Sequence, residues 1–426
     1  MLSTMFIAFL ILVIIGAPIA FVLAGSSMAA LWFGTTQPMV LIVQQFFTGM
    51  DSFPLLAIPL FMVAGSLMGH GGISSRLIKF VDTMIGHKTA GLAYVAIVSC
   101  MIFAAISGSG PATVAALGSI LIPGMIKAGY DPAFASAVMA ISGAIGIIIP
   151  PSIPMVTYST SANVSVGNMF LGGFLPGITV GMALMIVSYF ISKKRGYGEK
   201  RAKASAQERW AAFKDAILAL LMPVIILGGI YGGIFTPTEA AAVAVFYGLI
   251  VGVVIFKELN LASIKNVLLD GSKNTAMVMM IIGAAKGFAW ILSSARVPDA
   301  VARFITGLTD SAFMILLLIN ILLLIVGCLM EANAAIVILT PIFMPVITSM
   351  GINPIHFGII MIVNLAIGMS TPPLGVNLFV ASGISKVTLE KIIKAVLPLI
   401  AANIVALLVI TYLEPLTLVL VNLFGT

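Results

Sequence analysis

The chain has 426 residues, 61% hydrophobic and only 8% charged, with a mean hydropathy of +1.21, more apolar content than one globular core can bury. Its surroundings are therefore largely lipid, which sets aside a water-soluble fold. The formal net charge of +7 does not point to nucleic acid, because eight of the 21 Lys and Arg fall between Lys193 and Lys214, the pattern of one cytoplasmic loop under the positive-inside rule.

The first apolar run, MFIAFLILVIIGAPIAFVLAGSSMAALWF (residues 5–33), is long enough to cross a hydrocarbon layer of roughly 30 Å and lacks the charged start and cleavage signature of a secretory signal peptide. It counts either as one kinked span or as two short ones. The amphipathic stretch ISSRLIKFVDTMIGHK follows, and its Arg76, Lys79 and Lys88 look cytoplasmic. Apolar residues then run consecutively, as in MILLLINILLLIVGCLM (residues 314–330), without the alternation of a membrane barrel, so helices are the remaining spanning structure. Cys100 and Cys328 lie inside apolar segments without metal or redox spacing and read as small core residues.

The polar stretch SKKRGYGEKRAKASAQERWAAFKD divides the chain near residue 204, and the two sides resemble each other. Shifted by 222 positions without a gap, Pro123 falls on Pro345, Gly129 on Gly351, Pro132 on Pro354, Gly146 on Gly368, Pro150 on Pro372, Pro151 on Pro373 and Pro176 on Pro398. Glycine and proline report backbone geometry, so shared hydrophobicity does not account for these matches. The expected organisation is a first repeat over 1–192, a cytoplasmic basic linker over 193–214 and a second repeat over 215–426. Each repeat contains two apolar arms around a polar tip, a turn, a helix broken at Pro-Pro and a closing span. In the first repeat the arms are about 91–106 and 112–128 (hairpin about 91–128), the tip is SGSGP, and the broken helix is about 132–160. In the second the arms are about 311–330 and 334–350 (hairpin about 311–350), the tip is EAN, and the broken helix is about 354–385.

Arms this short only just span, so each pair is either a re-entrant hairpin with its tip at mid-depth or two ordinary spans joined at the surface. The expected fold is an all-α polytopic membrane protein with inverted repeats, two re-entrant hairpins and two Pro-Pro-broken helices, of the kind found in secondary transporters. If the repeats are inverted and the linker is cytoplasmic, both termini lie outside. Pro150, Pro151, Pro372 and Pro373 donate no N–H and leave helical carbonyls without partners. Such carbonyls either meet a cation, water or another chain, or the kink is healed by neighbouring Ser and Thr side chains.

Glu331 sits between two apolar runs with no charge nearby in sequence, and an intramembrane carboxylate is expensive and usually functional. The alternative is a water-exposed loop residue. Ser107, Ser109 and Thr113 at the first tip and Asn333 at the second supply hard oxygens of the type an alkali cation prefers. Lys286, in MMIIGAAKGFAWIL, either snorkels to an interface or meets an anionic substrate. Thr236-Pro237-x-Glu239 reads as a capping box, and Asp131-Pro132 and Asn353-Pro354 as caps followed by first-turn prolines. An intramembrane serine hydrolase built on Ser109 with His70 or His356 lacks any spacing that brings a base to the nucleophile. No GxxxxGK[ST] occurs, so ATP hydrolysis of the P-loop type is not expected. A channel is less apt than alternating access for a duplicated chain with paired breaks.

These motifs resemble the large membrane subunit of the tripartite ATP-independent periplasmic (TRAP) transporters, the DctM-type permeases, over essentially the whole chain. The segments carrying the likeness are MDSFPLLAIPLF (50–61), ISGSGPATVAALGSILIPGMIKAGYDPAFA (106–135), IIPPSIPMVTY (148–158), TPTEAAAVAVFYG (236–248) and STPPLGVNLFVASGIS (370–385). The resemblance implies sodium-coupled secondary import of an organic acid across the bacterial inner membrane by an elevator motion, with no enzyme activity, no organic cofactor and no ATPase. A C4-dicarboxylate, sialic acid or another sugar acid fits as substrate. It further implies a periplasmic substrate-binding protein and a small DctQ-type membrane subunit, expected as a separate partner because no extra segment of this sequence is left for it. By family likeness one sodium site falls on Ser107, Gly108, Ser109, Gly146 and Pro150, and another on Glu331, Asn333, Thr371 and Pro372. Substrate is expected at Ser109, Ser152, Glu331 and Asn377. Many relatives have Asp-Pro-Thr at the second tip where this chain has Glu331-Ala332-Asn333, which leaves open whether the acid touches sodium or substrate. The alternative is a stand-alone sodium/anion symporter of the same architecture that needs no binding protein.

Overall fold

The computed structural model describes residues 1–198, 202–309 and 311–425; Lys200 and Arg201 of the basic linker lie outside the described residues. Among the described residues the regular structure is helical throughout, with nine helices long and apolar enough to cross a membrane. The first half contains α1 (Leu2–Ile14), α2 (Ile19–Gly34), α3 (Val40–Met50), α4 (Ala57–His70), α5 (Ile73–Ile85), α6 (Gly91–Ser107), α7 (Gly110–Lys127), α8 (Pro132–Gly143), α9 (Ile153–Ala162) and α10 (Val166–Arg195). The second contains α11 (Ala206–Tyr231), α12 (Pro237–Leu249), α13 (Leu261–Ser294), α14 (Val297–Leu308), α15 (Ala312–Leu329), α16 (Ala332–Ser349), α17 (Pro354–Gly368), α18 (Val376–Ser385), α19 (Leu389–Tyr412) and α20 (Pro415–Phe424).

The initial apolar run forms two short helices. Gly16 takes φ +76°, Pro18 precedes the second helix, and α1 packs back against α2. Under the 222-residue shift, α6 to α10 and α15 to α19 start within one residue of each other. The same residue types set both series. Asp131 Oδ1 accepts from Phe134 N at 2.9 Å and Asn353 Oδ1 from Ile355 N at 2.8 Å, each ahead of a first-turn proline whose φ is already helical. Thr236 and Glu239 cap α12 reciprocally, with Thr236 N to Glu239 Oε2 at 2.8 Å and Glu239 N to Thr236 Oγ1 at 3.3 Å.

Burial runs opposite to that of a soluble bundle. α8 is buried from Phe134 to Gly143 and α17 from His356 to Gly368, while α1 and α15 expose many large apolar side chains. The small residues of α8, in AFASAVMAISG, let neighbouring backbones approach closely, which supplies packing where lipid gives no hydrophobic drive between helices. Arg76 on α5 donates to Asp215 at 3.2 Å and to Glu258 at 2.6 Å and lies 3.8 Å over the Phe256 ring. It thus ties α5 to α11 and to the turn before α13, on the side where the linker emerges.

Candidate functional site

The first tip is a turn between two helix ends. α6 stops at Ser107, Gly108 reverses the chain at φ +59°, and Ser109 is the extended residue ahead of α7. Gly110 and Pro111, expected in the tip, open α7 instead, because proline is preset for a first helical turn. Thr113 Oγ1 donates to Ser109 O at 2.8 Å and shares a 2.7 Å hydrogen bond with Ser107 Oγ. The tip leans on its own broken helix: Ile153 N donates to Gly108 O at 3.3 Å. At Gly146 an added Cβ would stand 2.8 Å from both Ser109 O and Thr113 Oγ1. Glycine is required at 146 because those oxygens occupy the place of a side chain.

The second tip uses an acid where the first uses hydroxyls. Glu331 is the residue before α16; it accepts from Ala334 N at 3.1 Å with Oε2 and from Asn333 Nδ2 at 2.8 Å with Oε1. It is therefore also a helix cap, a role the sequence reading did not assign to it. This tip also rests on its own break, through Leu374 N donating to Cys328 O at 3.3 Å and Gly327 and Gly368 in backbone contact.

At the breaks, both Pro-Pro bonds are cis. The expectation of unpartnered carbonyls needs correcting, since three of the four deprived oxygens find donors. Ile147 O accepts from Ser152 Oγ at 2.6 Å, Gly368 O from Thr371 N at 3.0 Å and Met369 O from Asn377 N at 3.0 Å. A carbonyl has two lone pairs, so each can still face a cation. The hydroxyls of Ser152 and Thr371 are turned to backbone, Thr371 Oγ1 donating to Ile367 O at 2.7 Å, and Ser152 is fully buried.

The halves also cross. Asn333 Oδ1 accepts from Thr157 Oγ1 at 2.9 Å, which joins the second tip to α9 of the first half. Asn377 Nδ2 and Ser370 Oγ both donate to Ala140 O at 3.1 Å, joining the second break to α8. An added Cβ on Gly110 would lie 3.4 Å from the Asn377 amide, so Asn377 also abuts the first tip, and its Oδ1 is buried without a hydrogen-bond partner. Each tip is thus placed against both broken helices. Thr157 and Ser370 escaped the sequence reading; the hydroxyl run TYSTS (157–161) beside the first break was the available signal.

The assembled groups are neutral oxygens and one carboxylate, a donor set for a hard cation and not for acyl chemistry. Neither candidate base reaches Ser109: His356 is held between Thr417 Oγ1 at 2.7 Å and Thr411 O at 3.1 Å, and His70 Nδ1 lies 3.0 Å from Ser66 O.

The profile of the family described as "Tripartite ATP-independent periplasmic transporter, DctM component" matches residues 6–416. The chain belongs to the DctM family. It is accordingly a component of a membrane transporter and not an enzyme. This DctM chain is 48% identical over 411 residues to the isethionate TRAP transporter permease protein DctMQ of Oleidesulfovibrio alaskensis, a match covering 96% of this chain and 65% of that longer protein. It is 44% identical to the C4-dicarboxylate TRAP transporter large permease protein DctM of Pseudomonas aeruginosa, with 88% of each covered. Among solved structures, the YdaH transporter of Alcanivorax borkumensis superposes with a TM-score of 0.63 at 16% identity, covering 87% of this DctM chain and 86% of that one, a likeness of fold alone.

Proposed function

We propose that this DctM chain imports an organic anion across the bacterial inner membrane, driven by sodium, receiving substrate from a periplasmic binding protein and working with a small DctQ-type membrane subunit. The observation that carries this reading is the meeting of two tips and two breaks. Ser109 O and Thr113 Oγ1, the latter bonded to Ser107, face Gly146, and Asn333, bonded to Glu331, meets Thr157, so hard oxygens from both halves gather at the helix interruptions. Sodium is assigned to the first group with Gly108 and Pro150, and to the second with Thr371 and Pro372. Substrate is assigned to the neighbouring Ser109, Glu331 and Asn377, with Ser152 bracing the break. The named relatives handle C4-dicarboxylates and isethionate, a carboxylate and a sulfonate, which favours a small organic anion.

In this reading the helix pairs α6–α7 and α15–α16 are re-entrant and the repeats are inverted. From the cytoplasmic linker, α10 crosses outward to the start at Val166, and α8–α9 crosses back, which leaves the mouth of the first hairpin on the cytoplasmic side. Lys386, Lys391 and Lys394 ahead of and within α19 then fall on the cytoplasmic side as well, as the positive-inside rule requires. Both termini are periplasmic. The hairpins and broken helices form the moving core of an elevator, and α1–α5 and α11–α14 its scaffold. Reconstitution tests the proposal: uptake of labelled C4-dicarboxylate or isethionate into proteoliposomes under an inward sodium gradient, with each component omitted in turn. Loss of uptake when potassium replaces sodium, or when the binding protein is left out, is expected. Uptake that survives without the binding protein supports a stand-alone symporter instead.

A further inference from the structure

The last turns of α10 carry a stripe of side chains that the bundle leaves uncovered. Met182, Met185, Ile186, Tyr189 and Phe190 recur at the three- and four-residue intervals of one helix face, and with Tyr94 from the first turn of α6 they line a groove of about 540 Å³. Met182, Ile186 and Phe190 are exposed, whereas Ser188 and Ser192, turned into the bundle, are buried. α6 lies against α10 at Gly181, where an added Cβ would stand 2.5 Å from Met101 Sδ, and the groove opens beyond that contact. The next position of the stripe, three residues past Phe190, is Lys193. Its Nζ lies 5.7 Å from the centre of the Tyr189 ring, at the groove's end. Lys194 points about 100° away around the helix, and Arg195 bonds Tyr197 Oη at 3.1 Å with Asp131 near it. Lys88, three residues ahead of α6, is exposed at the same end as Tyr94.

Among the described residues no carboxylate pairs with Lys193. The groove therefore runs from apolar side chains, past two phenols, to an unpaired ammonium, which is the order of acyl chain, glycerol ester and phosphate in a phospholipid. Tyrosines settle at headgroup depth, and a lysine there lays its stem along apolar surface while its nitrogen stays in the polar layer. We infer that the groove between α6 and α10 is a site for one anionic phospholipid, with an acyl chain along Met182, Met185, Ile186 and Phe190 and the headgroup phosphate on Lys193. Charge complementarity selects the occupant: each interfacial lysine or arginine favours an anionic lipid by about 5-fold. α6 carries Ser107 of the first tip at its other end, so the lipid seats against an arm of the first hairpin. The inference rests on the proposed topology only for the leaflet, the cytoplasmic one, and lipid retention does not depend on that choice.

The test uses the full chain purified in mild detergent and titrated with phosphatidylglycerol, or with phosphatidylcholine of the same acyl chains, bound lipid being counted by native mass spectrometry. Wild type is expected to retain one phosphatidylglycerol and to prefer it by about 5-fold or more. Lys193→Gln should bring the two lipids near parity, whereas Lys194→Gln, one position on and facing away, should leave the preference unchanged. Met185→Trp fills the groove and should abolish retention of both lipids, with the unfolding temperature in lipid-free detergent showing that each variant is folded. Equal effects of Lys193→Gln and Lys194→Gln would reduce the binding to general attraction by a basic segment and overturn the inference. Equal retention of the two lipids by wild type would do the same. So would displacement of phosphatidylglycerol by the co-purified small membrane subunit, which would make the groove a protein contact. None of these outcomes touches sodium-driven uptake, which reconstitution reads separately.

Discussion

Gly146→Ala is the sharpest probe of the first tip. Its new Cβ would lie 2.8 Å from Ser109 O and Thr113 Oγ1, whereas ordinary contact begins at 3.4 Å, so the oxygens must retreat by about 0.6 Å. One of them is backbone, anchored at the start of α7, and cannot swing aside as a flexible side chain would. Overpacking of this kind costs about 1–3 kcal/mol. If the displaced oxygens hold sodium, that energy appears as about a 5- to 150-fold rise in half-saturating sodium. The assay is uptake into proteoliposomes against sodium concentration, alongside the sodium-induced thermal shift of the purified protein. Gly228→Ala in α11, where an added Cβ meets nothing within 4 Å, is the control and should leave both unchanged. A Gly146→Ala protein with wild-type sodium dependence in both assays would refute the placement of a sodium site at this tip.

Three further outcomes are expected. Thr157→Val keeps shape but strands Asn333 Oδ1, which should lower stability by about 1–3 kcal/mol and depress the unfolding temperature in detergent. Glu331→Gln keeps one oxygen for capping α16 but turns its amide N–H toward the Asn333 amide and removes the charge, so it should shrink the sodium-induced thermal shift at a modest cost in stability; Glu331→Ala should lose a further amount of about 0.5–2 kcal/mol, the value of a cap. Arg76→Met retains a stem over Phe256 but severs the bonds to Asp215 and Glu258. Its partners are partly exposed, so the loss should be only about 1 kcal/mol and should shrink at high salt, read from unfolding at two ionic strengths.

Much of the fold was legible because glycine and proline mark backbone geometry. The cap-plus-proline pairs at 131–132 and 353–354 located the starts of α8 and α17 to the residue, whereas α7 and α16 begin two residues before the arms expected at 112 and 334. What escaped the sequence was mostly three-dimensional. Nothing local says that Thr157 will reach Asn333, 176 positions away, or that Asn377 will reach Ala140, 237 away. The carbonyls freed by Pro151 and Pro373 were anticipated, and Ser152 Oγ at the first break is the neighbouring hydroxyl offered as one alternative; Asn377 N at the second was not, because it comes into range only once the chain has turned at the break. Glu331 was singled out for its charge, and its cap geometry shows a second reason for an acid at that place.

The bonds that cross between the halves make one depend on the other. Thr157 completes Asn333, and Ala140 receives Asn377 and Ser370, so polar groups of the second half find these partners only in the first. A chain severed in its basic segment would leave Asn333, Ser370 and Asn377 without them until the two pieces met again.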